Sequence, residues 1–491
     1  MPMAMPAMPM PPHSKAGSPK PGVKRSAHKG AIEKPSAKRA AGPAVQPALV
    51  GHGASTTTDS AQMDRTPIAP DHGAMDQGPM NMPMATQGAA ANGQMQMLGP
   101  DHGSTMTMTG ALGTYPMQRE SSGTAWQPDA SYPMGVMMMS GPWTLMADGA
   151  LNLVYDHQSG PRGNNKAFAS GMVMGMARRP LGNATIQFKA MASPEPLMGA
   201  NGYPLLLASG ETANGHDRLI DRQHPHDFFM ELSASVSKDL GPRTSLFVYA
   251  GLPGEPAFGP PAFMHREAIM DSPEAPISHH WLDSSHITFG VVTAGLIFDR
   301  VKVEVSRFNG REPDQHRWNI ETGPLDSTAV RLSFNPVRTV ALQVSWGHFV
   351  DPEQLEPGVN QDRWSASALY AVEPAPGWKF AGTLAFGQKV SELRRDDAYV
   401  AEASLKHGSW TIFGRSELTQ NRELVAAVEN GPAYLVGKIS LGGVRDFRLA
   451  DHVAIGAGAL FALDFVPGTL APVYGGSNPT GLMAFLRIKL N

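Results

Sequence analysis

Histidine and aspartate are concentrated in two stretches of this chain, near residues 216–229 and 265–286. Imidazole and carboxylate groups are ligands that Zn²⁺ and Cu²⁺ accept. His224 and His226 stand two positions apart, so their side chains share one face wherever this segment is extended. The alternative is that these residues form polar networks that order long loops. If a metal binds here, the candidate ligands are His224, His226, Asp227, His279, His280 and His286.

Methionine is concentrated in the first part of the chain, since nineteen of the 29 methionines come before Ser140. They form short-spaced sets, and the tripeptide Asp-His-Gly occurs twice among them, at 71–73 and 101–103. Thioether is a soft ligand that suits Cu(I), and imidazole also suits Cu(II), so copper is the cofactor that these residues favour. The alternative is a low-complexity linker in which methionine is incidental. The candidate ligands here are His72, Met75, Met80, Met82, Met84, Met95, Met97, His102, Met106 and Met108.

Catalytic motifs give no comparable signal. Cysteine is absent, which excludes thiolate metal sites and a cysteine nucleophile. Asp283, Ser284, Ser285 and His286 are neighbours in sequence, whereas a catalytic triad is defined by its geometry. Phosphate loops, dinucleotide fingerprints and zinc-protease motifs are missing from the sequence. We therefore predict that the protein is not an enzyme, and an enzyme that uses the His/Asp stretches is the alternative.

The elements that must position these residues show a period of two. In the segment from Val453 to Phe465 large apolar residues alternate with small or polar ones, and similar segments recur from about Trp143 to the end. Such alternation without helical stretches predicts an all-β fold, a transmembrane antiparallel β-barrel whose apolar face contacts lipid. About sixteen strands are expected, at 142–157, 167–178, 183–193, 229–239, 244–251, 287–298, 300–309, 326–335, 338–350, 361–373, 377–389, 396–407, 409–419, 433–446, 452–466 and 480–491.

The connections between these strands alternate between tight turns and long segments, near 194–228, 252–286, 310–325, 351–360 and 420–432. Outer-membrane barrels have short periplasmic turns and long external loops. An even strand count places both chain ends on the periplasmic side and the histidine-bearing loops on the other. The expected location is therefore the Gram-negative outer membrane. Inward-facing charges such as Lys302 and Arg331 would tune solute passage or pair across the lumen.

The chain divides by composition into a disordered Met/His/Pro-rich tail at 1–140 and the barrel at 141–491. The formal net charge of −3 indicates no nucleic-acid partner. No apolar run marks a signal peptide at the N-terminus, although an outer-membrane protein needs export. Either the signal has been removed, or the start is misplaced, or the membrane interpretation is wrong.

The overall plan resembles Gram-negative outer-membrane β-barrel proteins of the copper and heavy-metal-resistance type. The resemblance is carried by the Met/His-rich segment from Met75 to Met108, ahead of the barrel, and by the stretch Arg-Gln-His-Pro-His-Asp-Phe-Phe at 222–229. It departs from them at the C-terminus, where many such barrels end in an aromatic residue and this chain ends in Asn491. The resemblance implies a role in copper or other soft-metal binding, tolerance or passage.

Three functions are therefore considered. The first is a porin-like barrel that handles copper or another soft metal, with the tail collecting the ion in the periplasm. The second is a general porin or structural barrel without a metal role, and the third is the outer-membrane enzyme named above. Expected partners are outer-membrane lipid and lipopolysaccharide together with metal ions or small solutes, and the barrel would be a monomer or a trimer.

Overall fold

A closed barrel of sixteen antiparallel strands makes up most of the molecule. The computed structural model describes residues 108–132, 135–392, 394–425 and 431–490. In chain order the strands are β1 (Val136–Ser140), β2 (Trp143–Gln158), β3 (Asn165–Leu181), β4 (Ala184–Ala192), β5 (Tyr203–Thr212), β6 (Arg218–Gln223), β7 (Phe229–Gly241), β8 (Thr244–Gly251), β9 (Val291–Phe298), β10 (Val301–Phe308), β11 (Ser327–Val337), β12 (Val340–Phe349), β13 (Gln361–Ala375), β14 (Trp378–Val390), β15 (Arg395–His407), β16 (Trp410–Asn421), β17 (Tyr434–Ala450), β18 (Val453–Phe465) and β19 (Thr480–Leu490).

All strands except β1, β5 and β6 belong to the barrel wall, and each pairs with its neighbours along the chain. The wall closes where β19 pairs with β2, with Gly481 opposite Gln158 and Lys489 opposite Ala150. Closure leaves no unpaired strand edge, which a sheet in lipid requires. The predicted fold class and the sixteen predicted strands are confirmed, with boundaries that differ by a few residues.

The two faces of the wall have opposite chemistry. On β10, Lys302 and Glu304 are buried inside, whereas Val303 and Val305 are exposed on the outside. On β19, Arg487 lies inside while the neighbouring apolar residues point outward. Because successive strand residues point to opposite faces, the period of two in the sequence puts the charges into the lumen and the apolar side chains outside.

One end of the barrel carries turns and the other carries loops, as predicted. Seven two-residue turns connect strands at the first end, for example between β3 and β4 and between β7 and β8. The other end carries longer connections, of which 193–228 and 252–290 are the two longest and lie next to each other along the wall. The loop at 193–228 contains the β5–β6 hairpin and a 3-10 turn, Glu195–Met198.

The second long loop, residues 252–290, folds into the lumen, and we call it the lumen loop. It contains a 3-10 turn (Phe263–His265), the short helix α1 (His279–Leu282) and another 3-10 turn (Ser284–His286). A second short helix, α2 (Ala471–Tyr474), lies between β18 and β19. Among the described residues, no helix is long and apolar enough to cross a membrane.

Residues 108–132 also lie in the lumen, at the turn end, and we call them the N-terminal lumen segment. It contains a 3-10 turn, Met117–Arg119. Inward-facing wall residues bind its backbone: Lys302 donates to the carbonyl of Thr124, and Asn335 Nδ2 donates to that of Gln127 over 2.9 Å. Trp126 is buried, with its ring centroid 4.9 Å from Lys302 Nζ.

This segment and β1 correct the predicted boundary of the tail at residue 140. The composition of 108–140 suggested a linker because few of its side chains are large and apolar, but wall side chains hold it through its carbonyl groups. The rest of the predicted tail, residues 1–107, lies outside the described residues, so its predicted disorder stays a prediction.

Candidate metal centre

Three buried histidines from the two long loops lie close to one another. His226, His279 and His286, which we call the histidine cluster, each offer a ring nitrogen, and these three atoms lie within 4.8 Å of one another. The ring centroid of His286 is 5.1 Å from that of His226 and 5.2 Å from that of His279. Three imidazoles at this spacing form a site of the kind that binds Zn²⁺ or Cu²⁺.

Asp283 orients two of the three rings. Its carboxylate Oδ1 lies 2.8 Å from Nδ1 of His279, and its backbone carbonyl accepts a hydrogen bond of 2.7 Å from Nδ1 of His286. The first contact follows from helix α1, which places His279 and Asp283 four positions apart on one face. With both Nδ1 atoms engaged, Nε2 is the nitrogen that each ring has left for a metal.

Glu195 orients the third ring from the other loop. Its Oε2 lies 2.9 Å from Nδ1 of His226 and accepts a hydrogen bond of 3.0 Å from the backbone nitrogen of the same residue. Nδ1 and Nε2 of His226 and Nε2 of His286 are buried and have no hydrogen-bond partner among the described residues, so Glu195 faces Nδ1 of His226 at ion-pair distance without hydrogen-bond geometry. An unsatisfied buried polar atom costs about 1–3 kcal/mol, and a bound metal ion would offset that cost.

The electrostatics favour neutral rings at two of the three positions. Burial lowers the pKa of His286 well below its usual value, and it also lowers the pKa of His279 although Asp283 opposes it. Burial acts in the same direction on His226, but Glu195 outweighs it and raises the pKa of His226. Since only a neutral imidazole has a lone pair for a metal, burial favours metal binding at His279 and His286, whereas Glu195 opposes it at His226 by favouring the protonated ring.

The lumen loop is fixed to the wall next to the cluster. The side chain of Arg266 is fully buried, and its guanidinium lies 2.5 Å from Asp283 Oδ2 and 2.7 Å from Glu402 of β15. Arg415 of β16 also contacts Glu402, at 3.2 Å. A line of buried ion pairs therefore runs from the barrel wall to the residue that orients His279 and His286. Contacts of this kind, to the residues that hold the ligands, fix the rings of metal-binding histidines.

The other three predicted loop ligands take different partners. His224 Nε2 lies 3.1 Å from Glu211, and His280 Nδ1 lies 3.4 Å from Glu312. Asp227 pairs with Arg317 over 3.1 Å. The ring of His224 is 5.5 Å from that of His280 and 6.3 Å from that of His279, so both extra histidines adjoin the cluster without completing it.

A second group of possible ligands is acidic. Glu353, Glu356 and Glu423 bring one carboxylate oxygen each within 4.8 Å of the others. Arg218 reaches all three, and Lys389 lies 3.4 Å from Glu353. These cations already compensate the carboxylates, so the histidine cluster is the better metal site.

Sequence reasoning missed the residues that orient the rings. Glu195 and Arg266 lie 31 and 13 positions from the histidine that each helps to place, and nothing in their local sequence marks them. Asp283 had a recognisable signal, since it follows His279 by four positions. Of the ligands predicted in the tail, Met108 begins the N-terminal lumen segment, where its carbonyl accepts a hydrogen bond from Met117. The other nine, His72 to Met106, lie outside the described residues.

No family model and no curated protein matches the sequence. Among solved structures, the chain is similar to an anion-selective porin from Comamonas acidovorans, at 10% identity over 71% of this chain and 100% of that one, with a TM-score of 0.44. It is also similar to Salmonella typhi OmpF in complex with daunomycin, at 10% identity over 72% and 100%, with a TM-score of 0.46. A third similar structure is OmpT of Vibrio cholerae, at 8% identity over 72% of this chain and 100% of that one, with a TM-score of 0.41.

Proposed function

We propose that the protein is an outer-membrane β-barrel that binds a transition-metal ion at the histidine cluster. The membrane part of the proposal is supported by the outer surface of the wall, where large apolar side chains are exposed on every strand; we call this surface the apolar band. Exposed aromatic residues border that band near the turn end, as at Trp378 and Trp410, and near the loop end, as at Trp364 and Tyr399. Aromatic girdles at both interfaces are typical of barrels in outer membranes. Fractionation followed by heat-modifiable gel mobility tests this part, and a soluble protein with unmodified mobility would overturn it.

The observation that carries the metal proposal is that one ring nitrogen each from His226, His279 and His286 converge, while Asp283 already holds Nδ1 of His279 and of His286. A tetrahedral Zn²⁺ site, with metal–nitrogen bonds of about 2.0–2.1 Å, separates its ligands by about 3.3 Å. The three nitrogens lie within 4.8 Å of one another, so small ring rotations suffice to complete the site. Three histidines leave a fourth position for water or a solute. Cu²⁺ is expected to bind more tightly than Zn²⁺, as it does at most nitrogen sites.

Zinc binding to the full-length protein in detergent tests this proposal. Zn²⁺ is suitable because thioethers bind it poorly, so the tail methionines contribute little. His226→Ala, His279→Ala and His286→Ala should each abolish the tightest zinc site. His316→Ala is the matched control, because this loop histidine is exposed and pairs with Asp314 outside the cluster. Unchanged zinc affinity in the three cluster variants, or an equal loss in the control, would refute the site.

A general porin without a metal role is the second candidate, and the sixteen-stranded barrel favours it. Bilayer conductance distinguishes the two: a general porin should conduct equally with and without zinc and in the three cluster variants. The enzyme alternative predicts instead that His224→Ala and His226→Ala abolish an activity while the barrel still assembles. Copper binding by the tail, its periplasmic location and a trimeric state also belong to the proposal. Copper titration of the full chain tests copper binding by the tail, protease accessibility tests the location of the tail, and the native mass tests the trimeric state.

A further inference from the structure

Methionines in the barrel region are gathered on one side of the lumen. Ten of the 29 methionines follow Ser140. Eight of these ten either line one cavity at the turn end or pack in the apolar cluster above it. Only Met198 and Met483 lie elsewhere. Methionine is therefore concentrated in one part of the lumen.

The wall supplies a ladder of these residues. On β3, Met172, Met174 and Met176 alternate with outward-facing residues, so they stand about 6.7 Å apart along the inner face. Met146 of β2 lies directly opposite Met176, and Met191 of β4 lies directly opposite Met174. Directly opposed strand residues have Cα atoms about 4.5–5.5 Å apart. Flexible methionine side chains at such spacing can bring two or three sulfur atoms onto one ion.

The lower end of the ladder opens into a cavity of about 150 Å³ near the turn end. Met146, Met174 and Met176 line it from the wall, Met270 from the lumen loop and Met117 from the N-terminal lumen segment. Charged residues of both signs also line this cavity, and some of them are paired, as Lys489 is with Asp271 over 3.1 Å. The cavity therefore combines five thioethers with nearly balanced charge.

The upper end of the ladder lies beside residues that adjoin the histidine cluster. Met172, Met191 and Met230 pack together with Ile287, which directly follows His286 in the chain, and Met264 packs against the same group. Phe263, the neighbour of Met264, has its ring centroid 6.0 Å from that of His226. Met174 belongs both to this group and to the cavity lining. The thioethers thus form one connected series, which we call the methionine column, from the cavity to the cluster.

We propose that the methionine column is a binding site for a soft monovalent metal ion, Cu(I) or Ag(I), that extends from the turn-end cavity to the histidine cluster. Thioethers select such ions because they are soft, uncharged ligands that bind hard cations weakly. Simple packing is the competing explanation, since methionine fills irregular gaps. Elsewhere the buried apolar positions of the wall use Phe413, Val444 and Leu460 instead. The proposal does not require the histidine cluster itself to bind metal.

The test uses the full-length protein in detergent, labelled with ¹³C at the methionine methyl groups, and Ag(I) added in chloride-free buffer. NMR reports each methionine separately, so signals from the tail do not obscure the column. Met174→Leu and Met176→Leu assign the two central signals, and leucine keeps the volume of the side chain nearly constant. Met483 is the matched control, because it is a buried methionine that faces the lumen on β19, away from the column.

Among the signals of the barrel methionines, those of Met174 and Met176 should be the first to shift as silver is added, and the signal of Met483 should stay unchanged. In the Met174→Leu/Met176→Leu double variant, the silver affinity reported by Met146 should fall at least tenfold. Unmoved column signals, or an equal shift at Met483, would overturn the proposal. In a His226→Ala/His279→Ala/His286→Ala variant the column signals should still shift, so failure of the zinc site and failure of the column are separate results.

Discussion

The replacement of Asp283 by Asn is the most direct test of how the histidine cluster is held. The Asp283 carboxylate binds the Nδ1 of His279 through one oxygen and Arg266 through the other. Burial by itself raises the pKa of Asp283, but Arg266 and His279 outweigh burial and hold that pKa well below its usual range. The carboxylate is therefore charged at neutral pH and makes the His279 ring a better ligand. Asn keeps the size and the backbone carbonyl that orients His286.

Loss of a carboxylate that holds a metal-binding histidine costs metal sites about 10- to 100-fold in affinity. Asp283→Asn should therefore weaken zinc binding by about 1.4–2.8 kcal/mol, because each factor of ten corresponds to about 1.4 kcal/mol. The amide can accept a hydrogen bond from His279 or from Arg266, but its NH₂ group then faces the other donor. The loss should accordingly lie towards the upper end of this range, and it should stay smaller than that of His279→Ala, which removes a ligand.

Competition with a chelating dye measures the zinc dissociation constant in detergent. Glu312→Gln is the matched control, because Glu312 is also a buried carboxylate beside an imidazole, 3.4 Å from His280 Nδ1, outside the cluster. The control should keep the zinc affinity of the parent protein. An Asp283→Asn variant that binds zinc as tightly as the parent, or an equal loss in both variants, would refute the assignment of Asp283 as an orienting residue.

Three further results are expected. Because Glu195 outweighs burial and raises the pKa of His226, zinc competes with a proton for this ring, and the zinc affinity should increase with pH. Calorimetry in two buffers should show proton release on zinc binding, and the absence of proton release would contradict the assignment. Trp126→Ala should destabilise the N-terminal lumen segment by about 3–5 kcal/mol and open it to protease, whereas unchanged cleavage would show that Trp126 does not hold it. Leu486→Arg, on the outer face of β19, should cost about 2–4 kcal/mol and lower the heat-modifiable fraction, while Thr480→Arg at the rim should cost little.

The barrel could be predicted from the sequence because its wall obeys local rules. Each strand alternates between lipid and lumen, and each turn at one end is only two residues long, so both signals are confined to neighbouring residues. The β5–β6 hairpin escaped prediction because Leu205, Leu206 and Leu207 form a continuous buried run without alternation. Leu207, Glu211 and Asp221 also have positive φ angles, which a regular strand pattern does not anticipate.

The candidate site could be predicted only by residue type. The sequence indicated which loops carry histidine, and the structure brings three of the six proposed loop ligands together. Long-range contacts decide which three of these residues form the cluster, because His224 pairs with Glu211 and Asp227 pairs with Arg317. The spacing of His224 and His226 suggested a shared role, whereas the structure gives the two rings different carboxylate partners. The methionine column was missed because most methionines lie in the tail, and because the contacts that bring the others together in the barrel are also long-range.

The lumen charges bear on the choice between a selective site and a general pore. They were predicted either to tune solute passage or to pair across the lumen, and in the structure they bind the inserted segments. Lys438 lies 2.7 Å from Glu274 of the lumen loop, Arg487 lies 2.6 Å from Asp271 of the same loop, and Lys302 binds the N-terminal lumen segment. A buried charge is costly unless it is paired, whereas a charge that lines an aqueous pore needs no partner. The wall is therefore complementary to a lumen occupied by these two segments, which is the arrangement expected of the proposed metal-binding barrel rather than of a general porin.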